Sequence, residues 1–128
     1  MIFLGAVVAT LAALLHVFIF YLESVAWTGS RARSVFGLSQ EEAVSTKELA
    51  FNQGFYNLFL ALEVFVAVGF LAGGATAVGG ALALAGVGSM LAAACVLWVW
   101  SPDNRSAAVK QGLLPLLAVI LISVGLCV

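Results

Sequence analysis

His16, Glu23, Asn52, Gln53, Tyr56, Asn57 and Glu63 are the side chains of this sequence that could do chemistry, because they stand in or beside long apolar runs. In a low dielectric a neutral imidazole and a carboxylate can share a proton, the chemistry of proton relays and general acid–base pairs. Glu23 follows His16 by seven residues and falls within about 20° of it on a helical wheel. Trp27 continues that stripe if the helix continues. On the second apolar run Asn52, Tyr56, Phe59 and Glu63 share one face, and Gln53 and Asn57 occupy the adjacent one.

The depths of the two stripes match. His16 lies about 10 Å inward from Glu23, and Tyr56 to Phe59 lie about 6–10 Å inward from Asn52. In antiparallel neighbours the stripes would face one another across a cavity open to the cytoplasm, with Gln111 at its mouth. Glu63 stands about 16 Å along the helix from Asn52, near mid-membrane. A charge there is penalised by about 2.5–3.5 kcal/mol on insertion scales, so Glu63 is expected to be protonated or paired, with His16 its natural partner. The bland alternative is a satisfied interhelical network, worth about 0.6 kcal/mol per bond.

The elements that must position these residues follow from composition. The 128 residues are 64% hydrophobic and 9% charged, far from the roughly 25% charge of a soluble chain. From Phe55 to Trp100 there is one acid, Glu63, and no base. A span needs about 20 apolar residues, and four stretches serve: 2–22, 49–71, 81–100 and 107–128. The sequence therefore predicts an all-α integral membrane bundle of four transmembrane helices over residues 1–128. Residues 23–48 form its only long polar segment, where Ser39-Gln40-Glu41-Glu42 fits a capping box that starts a short amphipathic helix near Gln40. That helix is expected to run on into the second span rather than break at Gly54.

Gly73 to Gly80 carries no charge and reads as a tight hairpin turn, making spans two and three antiparallel neighbours. In span three Ala81, Ala85 and Ser89 recur every four residues, with Gly88 and Ala92 beside them. Such spacing suits close packing inside the bundle or a homodimer face. Arg31, Arg33, Lys47, Arg105 and Lys110 all fall in or beside the first and third loops. The positive-inside rule then puts loops 23–48 and 101–110 in the cytoplasm and both termini outside. Trp27, Trp98 and Trp100 would mark the same interface.

A net charge of −1 argues against a nucleic-acid partner, and no zinc, P-loop or dinucleotide spacing implies a metal or cofactor. Cys95 and Cys127 read as small buried hydrophobes. Residues 2–22 lack a basic leader and a clean cleavage site, so they read as a retained span rather than a signal peptide.

His16, Tyr21-Leu22-Glu23, Ala26-Trp27, Phe36-Gly37-Leu38, Asn52-Gln53-Gly54, Tyr56-Asn57, Phe59-Leu60-Ala61 and Gln111-Gly112 together resemble the domain-of-unknown-function 1304 family. The resemblance covers nearly the whole chain and is most specific in the Asn-Gln-Gly-x-Tyr-Asn-x-Phe-Leu-Ala run. It implies a small four-span membrane protein with a recurring polar pocket, and no reaction. Ser24 and Glu63 depart from the pattern, which normally has a larger apolar residue and a small or apolar one there.

The expected function is the binding or transport of a small polar or amphipathic ligand in a cytoplasm-facing pocket between spans one and two. The alternatives are a membrane-embedded enzyme on a lipid-like substrate, with His16 or Glu63 as acid–base, and an accessory subunit of a larger membrane complex. The lipid bilayer is the expected partner in each case.

Overall fold

A computed structural model describes all 128 residues, and every regular element in it is helical. Four helices are long and apolar enough to cross a membrane. The first is α1 (Ile2–Phe20), prolonged by one π turn (Tyr21–Val25) in which the Ala26 amide donates to the Tyr21 carbonyl at 3.0 Å. Two short helices follow, α2 (Ser30–Phe36) and α3 (Gln40–Ser45), and then α4 (Lys47–Ala72), α5 (Thr76–Trp100) and α6 (Arg105–Cys127). The chain is thus a multi-pass membrane protein of the predicted class, with α2 and the π turn as additions.

The capping box forms as the sequence indicates. The Glu42 amide donates to Ser39 Oγ at 3.1 Å, and the Ser39 amide to Glu42 Oε2 at 2.8 Å. The helix it starts does not run into the second span. It breaks at Thr46, whose backbone (φ −102°, ψ 3°) leaves helical geometry, while α4 passes unbroken through Gly54.

The glycine-rich link is shorter than expected. Only Gly73 to Ala75 turn, with Gly74 at φ 83°, and Gly79 and Gly80 already belong to α5. They are there for close approach: a Cβ on Gly79 would stand 2.7 Å from the Leu71 amide nitrogen, and one on Gly80 2.8 Å from Leu126 Cδ2.

Each long helix packs on two others, in the ring order α1, α4, α5, α6. The centre is small-residue packing: Ala9, Ala12 and Ala13 of α1, Ala61, Val64 and Ala67 of α4, Ala83, Val87 and Met90 of α5, and Ala118 and Ile122 of α6. Small side chains let helix backbones approach closely where no hydrophobic effect drives association. The α5 residues that do this are Gly79, Ala83 and Gly86, not the stripe expected from the sequence. Ala81, Ala85, Ser89 and Ala92 are exposed on the outer surface, and a Cβ on Gly88 would meet nothing. Cys95 and Cys127 are also exposed rather than buried, on the apolar exterior. Their sequence surroundings are apolar because lipid would lie outside as well as core inside.

Candidate functional site

Gly54 brings α1 and α4 together at the end of the bundle that carries α2, α3 and the Pro102–Asn104 turn, here the loop end. Without a side chain on Gly54, α4 lies directly against the π turn: a Cβ there would stand 3.0 Å from the Ser24 amide nitrogen and 3.1 Å from Glu23 Cβ. The widened turn presents both Glu23 and Ser24 to α4, and π turns of this kind recur at functional sites. Ser24 Oγ donates to the Phe51 carbonyl at 2.8 Å. Asn57 Nδ2 donates to Glu23 Oε2 at 2.7 Å and to the Gln53 carbonyl at 3.2 Å.

His16 lies about two turns further along α1 from Glu23. It is 2% exposed, the one buried polar side chain of the molecule, and its Nδ1 bonds the Ala12 carbonyl at 2.9 Å. Nε2 has no protein partner. Gln53 is exposed, Glu23 and Asn57 are half-buried and His16 is buried, so polar accessibility falls from the loop end inward. Beyond His16 the interior is the dry alanine-rich core.

The structure divides the sequence-predicted set. It joins Glu23 with Asn57 and keeps Gln53 beside them. It turns the other α4 stripe outward: Asn52 is exposed, and Tyr56 and Phe59 are 58% and 57% exposed. Glu63, about 180° around α4 from Gly54, is half-buried and away from that seam. His16 and Glu63 therefore do not pair, and Glu63 makes no hydrogen bond or ion pair. Trp27 is held away from the seam, donating from Nε1 to Thr46 Oγ1 at 3.1 Å and packing on Phe36. Gln111 is half-buried and bonds none of the others.

None of the three principal clefts lies between α1 and α4 at the loop end. They lie between α5 and α6, at the glycine turn, and between α1 and α4 at the opposite end around Thr10. No group of three metal-ligating side chains is assembled. Ser24 and the ring contacts of Phe55 with Phe20 and Phe51, at centroid distances of 5.2 and 5.1 Å, are the parts of this seam that the sequence did not point to. Their signals were Ser24 in a normally apolar position and phenylalanines at i, i+4.

A family model described as "Protein of unknown function (DUF1304)" matches residues 10–123, a range that contains every residue of this seam. No curated protein and no solved structure matches the chain.

Proposed function

Because the chain belongs to the DUF1304 family, whose description assigns no activity, its function has to come from its own side chains, and we propose that it is a membrane-embedded binding protein. The ligand is small and polar, or the head of an amphipath, and it enters from the loop end at the α1–α4 seam. One observation carries this reading: the Asn57–Glu23 bond commits one carboxylate oxygen and leaves Oε1 without a protein partner, on the route toward a buried His16 whose Nε2 is also free. An acceptor oxygen in a half-buried site favours a head that donates hydrogen bonds, an ammonium or guanidinium above all. The π turn and Gly54 are the places where the closed seam would yield.

Binding ranks above transport because the apolar core closes the far side of His16. It ranks above acid–base catalysis because the bond His16 makes goes to its own helix. The distribution of the five basic residues supports a cytoplasmic loop end with both termini outside. Exposed Cys127 tests that orientation through labelling of intact cells by an impermeant maleimide.

The binding test is a titration of the purified protein in lipid nanodiscs with butylammonium, butylguanidinium and butanol, read as thermal midpoint. The two cations raise the midpoint of the wild type and butanol does not. Glu23→Gln removes the cation response. Equal responses of wild type and Glu23→Gln overturn the proposal.

A further inference from the structure

On the other side of the bundle, at the same loop end, α5 and α6 part to leave a groove of about 340 Å³. Leu91, Cys95, Trp98, Val109, Leu113 and Leu116 are among the residues that line it, and nine of its ten lining residues are hydrophobic. Its floor is shallow because Gly112 sits against Ala94, where a Cβ would come within 2.8 Å of the alanine methyl. A groove this apolar has no polar feature of its own with which to choose an occupant. The choice comes from its mouth.

Arg105 opens α6 there. Its Nε donates to the Trp98 carbonyl at 3.1 Å, and its guanidinium lies 5.3 Å from the centroid of the Trp98 ring. These two contacts fix an exposed arginine against a residue of the groove wall and leave both terminal nitrogens without a protein acceptor. With Nε engaged, the edge formed by the two terminal nitrogens remains free, and it matches a phosphate bidentately. The surrounding turn adds one acid, Asp103, and one further base, Lys110, so positive charge prevails over residues 101–110. No side chain caps the first turn of α6, because Asn104 bonds Ser101 Oγ instead, and the positive end of that helix faces the same region.

We propose that this groove is a binding site for one anionic phospholipid, with an acyl chain between α5 and α6 and the phosphate on Arg105. Charge selects the occupant: a zwitterionic lipid fills the groove equally well but gains less from Arg105. A basic residue near an anionic membrane surface contributes about 1 kcal/mol, so the preference for the anionic lipid is about fivefold in relative binding constant. The site is independent of the Glu23–Asn57 seam and stands whether or not that seam binds a ligand.

Trp98 is its own reporter. Protein in nanodiscs is titrated with dibrominated phosphatidylglycerol or dibrominated phosphatidylcholine, and the Trp98 contribution is taken as the difference between wild type and Trp98→Phe. Phosphatidylglycerol quenches Trp98 at about one fifth of the mole fraction that phosphatidylcholine needs. Arg105→Gln brings the two curves together with no change in thermal midpoint, and Cys95→Phe, which fills the groove, weakens quenching by both lipids. Coincident curves in the wild type overturn the proposal. So does a preference that survives Arg105→Gln, and so does quenching that Cys95→Phe leaves unaltered, since bromines in the surrounding annulus would then be responsible.

Discussion

Two faces of α4 carry hydrogen-bonding side chains, and the bundle treats them oppositely. The Gln53–Gly54–Asn57 face is built against α1, with Asn57 on Glu23 and Ser24 on the Phe51 carbonyl. The Asn52–Tyr56–Phe59–Glu63 face makes no side-chain hydrogen bond: Asn52, Tyr56 and Phe59 are exposed at the surface that lipid would cover, and Glu63 is half-buried. Polarity is therefore not what decides which face turns in. Backbone approach decides it: glycine at position 54 lets α1 come closer on that side than any side chain would permit.

The comparison breaks most severely at Gly54. A leucine there must displace the Ser24 backbone and Glu23 Cβ, neither of which is the loose end of a flexible chain. Overpacking of this kind costs about 1–3 kcal/mol and occasionally more. Gly54→Leu is expected to lower the thermal midpoint sharply or abolish monodisperse protein, whereas Tyr56→Leu on the outer face leaves both unchanged. Equal behaviour of the two variants would show that Gly54 does not set the rotation of α4.

Asn57→Ala is the next largest effect. It strands a half-buried carboxyl, and leaving a buried acceptor without its donor costs about 1–3 kcal/mol, toward the lower figure where water still reaches the group. Glu23→Gln combined with Asn57→Ala should cost less than the sum of the single changes, because the pair is lost only once. Additive midpoint shifts would mean that the 2.7 Å contact contributes nothing to stability.

On the outer face Glu63→Leu should barely move the folding midpoint, since the half-buried carboxyl has no hydrogen-bond partner to lose. The effect belongs to insertion instead: an apolar residue at mid-span removes a penalty of up to about 2.5–3.5 kcal/mol. A glycosylation-mapped insertion assay of the isolated span 47–72 should therefore favour Leu, while the unfolding curves of the full chain coincide. A large loss of stability in Glu63→Leu would reveal an inward partner for this carboxyl.

The bundle was legible because 64% hydrophobic content and four runs of span length leave no other fold. The rotation of α4 was not. A helical wheel gives angles between residues on one helix but no zero relative to its neighbour, so two adjacent polar stripes read alike. Gly54 supplies that zero, yet in sequence it reads as a residue that weakens a helix. The same ambiguity placed Gly79 and Gly80 in a turn when close contact with Leu71 and Leu126 makes them helical. The π turn has no local signature either, and it ended the stripe before Trp27. The capping box, being local, was read correctly to the residue.

The smallest effect tests whether the loop shares in setting the inner face. The Ser39 backbone amide and hydroxyl beside Glu42 hold its carboxyl below the usual carboxylate range. A carboxyl lowered in the folded state lends stability that is present above its unfolded value, about 4.3, and is lost as pH falls through the folded one. The Glu42 carbonyl in turn accepts from the Thr46 amide and hydroxyl, and Thr46 holds Trp27 immediately before α4 begins. Acidification should lower the protection factors of the Ala43 to Ser45 amides and leave Asn57 protected, and Ser39→Ala should flatten that pH dependence. If Asn57 lost protection in step with Ala43, the loop as well as Gly54 would be holding the inner face of α4 against α1.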